Sequence, residues 1–194
     1  MRARSALLAI AAAVLLAACA TTRPPPPAGA AWNVRVGDLQ KLGRWQLDGR
    51  AAVAVGNEGW QATLNWRERG ETAEVHLSGP FGIGALAIER TADGLSLNGA
   101  PPGADVLAQL QERLGFELPL DQLRYWLLGA PDPAGTFDLK PNDQDRAAQL
   151  TQDGWSIDYD RYMPVAGDVL PAQLVLRREG VRVRIAIDRW NLGP

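Results

Sequence analysis

The chain has 194 residues, with 20 basic and 22 acidic side chains and a net charge of −2. That balance gives neither a basic field for nucleic acid nor a polybasic stripe for an anionic membrane surface. A single histidine and a single cysteine leave little material for nucleophilic catalysis or for a soft metal cluster.

Arg2 and Arg4 make a positive start, an apolar run from Ala6 to Leu16 follows, and small residues lead to Cys19. The run falls well short of the roughly 20 residues that a spanning helix needs, so it reads as an export signal. Leu16-Ala17-Ala18-Cys19 then reads as a lipoprotein cleavage box. Residues 1–18 are the signal peptide, and Cys19 becomes the first residue of the mature chain, lipidated on its sulfur and its amine. An uncleaved anchor helix is a competing reading, but apolarity stops at Thr21 and no stop-transfer charges follow. A signal without lipid is another; against it, the only cysteine stands at the cut site with no disulfide partner. Losing Arg2 and Arg4 with the signal makes the mature chain more acidic. It remains long enough for one domain with a real core.

Residues 19–31 are the lipidated cysteine and its tether. Pro24-Pro25-Pro26-Pro27 favours extended polyproline II at about 3.1 Å per residue, a reach of roughly 35 Å over the tether. Residues 32–194 are expected to form a single domain. Trp32, Val36 and Leu39 share a helical face, which predicts a short helix over Trp32–Arg44 that Gly43 ends.

From Trp45 the period becomes two. Leu47, Gly49, Ala51, Val53 and Val55 fall on one strand face. After the Gly56-Asn57-Glu58-Gly59 turn, Trp60, Ala62, Leu64 and Trp66 do the same, which reads as an antiparallel hairpin. Ala73, Val75 and Leu77 mark a third strand. Gly79 to Gly84 is loop chemistry around two large hydrophobes. Leu86 and Ile88 mark a fourth strand, and Leu95 and Leu97 follow the Asp93-Gly94 turn.

Pro101-Pro102-Gly103 ends this meander. Val106, Leu107, Leu110 and Leu114 have helical spacing, with Asp105 as N-cap and Gly115 closing. A second helix has Pro119 in its first turn and Gly129 at its end, with an apolar face of Leu120, Leu123 and Leu127 widened by Trp126 and Leu128. Strands then return: Thr136–Lys140 with Phe137 and Leu139 on one face, Ala148–Gln152, and Trp155–Tyr159. Tyr162–Pro171 reads as a long loop. Gln173–Arg178 and Val181–Trp190 form a last hairpin around Glu179-Gly180. The fold is mainly β with a few helices. About ten or eleven antiparallel strands share one apolar face, which must be covered, so the sheet is expected to curl into an incomplete barrel around the helices.

Catalytic chemistry is hard to find. His76 sits on the polar face of a strand. Asp158 and Asp160 share a strand face, where solvated charges are far commoner than acid–base pairs. Gly82 and Gly84 look like part of a phosphate loop, but neither Lys-Ser/Thr nor a helix follows. The chain is read as a non-enzyme without metal or cofactor.

Leu123-Arg124-Tyr125-Trp126-Leu127-Leu128-Gly129-Ala130-Pro131 resembles the Leu-Arg-x-Trp-(Ile/Leu)-x-Gly-x-Pro segment of the LolB family of outer-membrane lipoproteins. Gly79-Pro80-Phe81-Gly82 resembles the family's loop between two early strands. Trp155–Tyr159, Leu170-Pro171-Ala172 and Ile187-Asp188-Arg189-Trp190 resemble its late strands, so the likeness runs from about Trp32 to Trp190. It implies an incomplete antiparallel barrel plugged by helices, with a hydrophobic cavity for acyl chains. It also implies a receptor that takes lipoproteins from the periplasmic carrier LolA and inserts them into the inner leaflet of the outer membrane. The family's protruding loop bears a large hydrophobe needed for insertion. Phe81 stands there, between Pro80 and Gly82, where the best-known members have leucine. Ala20, after Cys19, is not the aspartate that retains lipoproteins in the inner membrane of enteric bacteria.

Burying acyl methylenes is worth about 0.8 kcal/mol each, so such a carrier needs apolar lining and little else. The candidate lining is Val53, Leu64 and Trp66, then Val75 and Leu77, then Leu86, Ile88 and Leu97 from the early strands. Leu110, Trp126 and Leu127 join from the helices, and Ile157, Leu174, Ile185 and Ile187 from the late strands. Each is equally well read as ordinary core. The expected partners are a LolA-like carrier, lipoprotein acyl chains and outer-membrane phospholipid, with no nucleic acid, and the protein is expected to act as a monomer facing the periplasm. The competing reading is a tethered structural or assembly module with a packed core and protein partners only.

Overall fold

The computed structural model describes residues 30–80, 84–103 and 105–193. Trp32–Pro194 is one compact unit. Its elements, in chain order, are α1 (Ala30–Gln40), β1 (Arg44–Val55), β2 (Glu58–Arg69), β3 (Thr72–Ser78), β4 (Leu86–Thr91) and β5 (Gly94–Leu97). Then come α2 (Val106–Leu114), α3 (Leu120–Trp126), β6 (Phe137–Pro141), β7 (Ala147–Gln152), β8 (Trp155–Val165), β9 (Asp168–Arg178) and β10 (Val181–Asn191).

The ten strands make one antiparallel sheet in the order β5-β4-β3-β2-β1-β10-β9-β8-β7-β6. The first meander runs outward from β1 to β5, the helices follow, and the second meander returns from β6 to β10. β10 then pairs with β1 at the centre. The edges are therefore the two strands that flank the helical segment, and the barrel stays unclosed. Strand alternation puts Leu47, Leu64, Ile185 and Ile187 on one face. There they join one buried cluster with Val106, Leu110 and Leu114 of α2 and with Leu120, Leu123 and Trp126 of α3. Near one end of the sheet Trp45 packs between Trp66 and Trp190, at ring centroids of 5.9 and 5.5 Å.

The structure departs from the sequence reading at several points. Tyr162–Pro171 is not a long loop. β8 runs on to Val165 and turns through Ala166 and Gly167, both at positive φ, into β9. Pro164 and Pro171 fit because this end of the hairpin extends past its neighbours. β7 pairs with β8 only as far as Asp158, and β10 pairs with β9 only from Gln173 on. Each proline sits on a stretch with one free side, where a missing N–H is tolerated.

The first helix stops at Gln40 rather than at Gly43. α3 stops at Trp126; a further turn reaches Gly129, whose φ is 83°. Pro119 occupies the N-cap position rather than the first turn, and Asp105, although at the N-cap of α2, makes no side-chain capping bond. Phe137 and Leu139 do not share a buried face: Phe137 is 49% exposed, because β6 is an edge strand with little packed over it.

Gly49 shows why the central ladder tolerates no side chain there. The β1–β10 register slips between Asp48 and Gly49, and a Cβ on Gly49 would lie 2.4 Å from the Ala186 carbonyl oxygen. A bulge brings the backbones that close. Gly49→Ala is expected to destabilise the domain by roughly 1–3 kcal/mol, through forced separation of the strands. Urea unfolding would check this; an unchanged midpoint would contradict the close approach.

Candidate functional site

The helices are fastened to the sheet by α3, and the fastening uses the Leu123–Pro131 segment almost residue by residue. Leu123 and Trp126 are buried. Arg124 Nε lies 3.3 Å from Glu68 Oε1 on β2, and Arg90 on β4 pairs with the same oxygen while also reaching Asp121 at 2.8 Å. Trp66 Nε1 donates to Glu68 Oε2 at 3.0 Å. On the other side, Trp126 Nε1 donates to Gln152 Oε1 on β7 at 2.9 Å, and Tyr159 on β8 donates to the Trp126 carbonyl at 2.9 Å. Burial pushes the Tyr159 hydroxyl well up, which keeps it a donor. Gln40 at the end of α1 donates to the Pro131 carbonyl at 2.9 Å.

The Glu68 carboxylate is fully buried. Burial pushes its pKa up; the Trp66 hydrogen bond and the charges of Arg90 and Arg124 pull the other way without cancelling that. Sequence reasoning missed both anchors. The signal was there: Glu68 continues the alternation of Leu64 and Trp66, and Gln152 that of Leu150, so each falls on the apolar face. A polar residue on that face needs a buried partner.

Between β2, the end of β3, the start of β4 and the end of α2 lies an open apolar pocket of about 590 Å³. Trp60, Ala62, Leu77, Leu86 and Leu114 line it, together with Gly79, Pro80 and Gly84 and the side chains of Gln61 and Arg113. Trp60, Leu77 and Leu114 also line a smaller apolar cavity of about 40 Å³, together with Val53, Leu64, Trp66, Val75 and Ile185. The open pocket's volume of about 590 Å³ is within the ~300–1,000 Å³ typical of small-molecule sites.

All fifteen candidate lining residues are buried in the core cluster. Leu77 and Leu86 face the open pocket. Val53, Leu64, Trp66, Val75, Leu77 and Ile185 face the 40 Å³ cavity, and Ile88 faces a still smaller one with Trp66 and Val75. Leu97, Leu110, Trp126 and Leu127, and likewise Ile157, Leu174 and Ile187, pack within the core. Pro80 is exposed; Phe81, Gly82 and Cys19 lie outside the described residues. Trp60, Ala62 and Leu114 line the pocket without having been singled out as lining. His76 is exposed on β3. Asp158 pairs with Arg177, and Asp160 accepts from Gln173 at 2.9 Å, so both aspartates serve cross-strand contacts. Among the described residues no cluster of His, Cys, Asp or Glu could hold a metal ion, and no helix is long and apolar enough to cross a membrane.

A family profile described as "Outer membrane lipoprotein LolB" matches residues 43–190. The outer-membrane lipoprotein LolB of Nitrosococcus oceani is 34% identical over 168 residues, 84% of this chain and 83% of that protein. Those of Thiobacillus denitrificans and Pseudomonas aeruginosa are 34% and 33% identical, covering 77% and 82% of this chain and 81% and 80% of theirs. Among solved structures, a LolA superfamily protein from Nitrosomonas europaea superposes with a TM-score of 0.58 at 9% identity, covering 84% of this chain and 93% of that one. That likeness is one of fold.

The Glu68 junction has a pH signature. Its folded-state pKa is raised, so the folded protein holds this proton more readily than the unfolded chain. Ionised Glu68 therefore costs stability as pH rises from the ordinary glutamate value through the raised one. Glu68→Gln has no such proton, so the native chain's advantage over it should be larger below that interval and shrink above it. Urea unfolding of both proteins across the interval would test this; an advantage that grows with pH would refute it. Glu68→Ala, which leaves Arg90, Arg124 and the Trp66 indole without their acceptor, is expected to cost about 2–4 kcal/mol.

Proposed function

The chain belongs to the LolB family of outer-membrane lipoproteins, and from that premise we propose that it is a lipoprotein receptor on the periplasmic side of the outer membrane. It takes lipoproteins from a LolA-like periplasmic carrier, holds their acyl chains in an apolar site, and inserts them into the inner leaflet. The family is one of outer-membrane lipoproteins rather than of enzymes.

The observation that carries the acyl-binding part is the open apolar pocket, with its walls of Trp60, Leu77, Leu86 and Leu114. Gly79, Pro80 and Gly84, which bracket Phe81 in sequence, line it as well. A large hydrophobe flanked in sequence by Pro80 and Gly82 is suited to meet lipid or cargo as a chain leaves. No step needs a nucleotide. Transfer runs downhill, from a site that buries part of an acyl chain to a bilayer that buries all of it. Cys19 supplies the anchor, and two or more acyl chains make that anchor stable where one is marginal.

Two experiments test this reading. The full chain carrying Cys19→Ala should bind a fluorescent fatty acid saturably, and Ala62→Phe, which fills the pocket, should weaken binding by tenfold or more at unchanged circular dichroism, on the order of two buried methylenes. Failure of the native pocket to saturate would favour the packed, protein-binding module. Phe81→Glu should leave cargo acceptance intact and stop delivery to liposomes; delivery at the normal rate would remove Phe81 from the insertion step.

A further inference from the structure

The open pocket is mostly apolar; Gln61 and Arg113 are the polar side chains that line it, and among the described residues Arg113 is the one charged side chain there. Arg113 lies in the last turn of α2, exposed, directly before the buried Leu114. Among the described residues it makes no hydrogen bond or ion pair. The arginines elsewhere around the helices are engaged: Arg90 and Arg124 with Glu68, Arg178 with Glu117. An arginine so placed lays its aliphatic stem on the apolar wall and keeps its guanidinium at the rim. There it offers a fork of donors and no acceptor.

We propose that Arg113 recognises the carbonyl oxygen where an acyl chain joins its head, and so sets the direction in which the chain enters. The inference rests on the acyl-binding reading above and adds what that reading lacks. Burial of methylenes is non-directional, so apolar walls alone accept a chain either way round. A few polar groups at the edge of an apolar site are what fix a ligand's orientation. Every ester- or amide-linked acyl chain carries a carbonyl at its head end. With that oxygen on Arg113 at the rim, the methyl end points past Leu77 and Leu114 toward the smaller apolar cavity that these two residues also line. The position also suits the negative end of the α2 dipole, but that role alone would not distinguish one ligand from another.

The test uses the full chain carrying Cys19→Ala and two neutral competitors of equal chain length. Monopalmitoylglycerol has the ester carbonyl; monohexadecylglycerol has an ether in its place. Each displaces an apolar fluorescent probe. The ester is expected to bind roughly three- to tenfold more tightly, the scale of one charge-assisted hydrogen bond at a solvated rim. Arg113→Met, which keeps the apolar stem, should abolish that preference while ether affinity stays within about twofold. Equal binding by the native pocket, or a preference that survives Arg113→Met, overturns this inference and leaves acyl binding standing. Palmitate itself is a third competitor: if it outbinds the ester by more than the ester outbinds the ether, and through Arg113, the group reads an anion rather than a neutral carbonyl, and the assignment fails. Failure of both glycerol lipids to bind overturns the acyl-binding reading and this inference with it.

Discussion

β1 and β10 pair from Gln46 to Val55, and among the described residues no other ladder joins the first meander to the second. The strands nearest the ends of the domain's sequence thus lie at the middle of its sheet. In sequence the helices lie between the outer edges of the two meanders, so this ladder is the one place where the sheet's two halves meet. The ladder is accordingly well fastened. Gly49 lets the backbones approach at a bulge, and Trp45 packs against Trp190 across the strands. On the outer face Arg50 pairs with Asp188 at 2.8 Å, and Arg189 with Asp48 at 2.6 Å. The hydrogen bond from Arg189, followed by that from Asn65, holds the Asp48 carboxyl below its usual range. That part of the fastening is therefore present above the ordinary aspartate range and lost as pH falls through the lowered value. Contacts of such long sequence separation also make this a slow-folding topology, since its central pairing closes the largest loop.

Given that ladder, the position of the helices follows. A short helix such as α3 has little intrinsic stability, and most of it must come from packing. Here the packing is directed by polar anchors of opposite kinds. On the side of β2 and β4 the anchor is a buried carboxylate shared by two guanidiniums; on the side of β7 and β8 it is neutral, an amide and a phenol around Trp126. The charged junction is costly to bury and costlier to break, so it contributes more to where α3 sits than to how stable the domain is. The Leu-Arg-x-Trp spacing puts the guanidinium and the indole on different sides of one helix, each reaching a different half of the sheet. This is a structural reason for those residue types at that spacing.

Period-two alternation made the strands legible, and helical spacing followed by Gly115 and Gly129 made the two central helices legible. Those signals are local. What the sequence reading lost was decided by partners far along the chain. The β8–β9 hairpin reads as a loop because two prolines count against strands, and only the register shows that each lies beyond its neighbour's reach. The pairing of β1 with β10 leaves no local mark at all. Of the site, the apolar pool was legible as a set, but which members face space and which face one another depends on side-chain packing. Leu77 and Leu86 meet the open pocket, while Ile157 and Leu174 are buried in the core cluster. Arg113 is one surface arginine among many in the sequence; its place at the rim exists only once α2 lies beside β2.

The packing of the core bears on how a transfer protein would work. The inner cavity lined by Val53, Leu64 and Val75 holds about 40 Å³ and the open pocket about 590 Å³, so an incoming acyl chain finds room in the pocket and little in the cavity next to it. At ~0.8 kcal/mol per methylene, a site that buries a sixteen-carbon chain completely would gain roughly 12 kcal/mol and release it very slowly. A half-open pocket leaves part of the chain in water and holds it less tightly than a bilayer does. On the proposed reading that shortfall is useful: the receptor must bind well enough to accept a chain from a soluble carrier and weakly enough to surrender it to the membrane. A deep, fully enclosed cavity would win the first exchange and lose the second. The pocket's openness and the tight core beneath it then serve one purpose, which is to keep the affinity between the two.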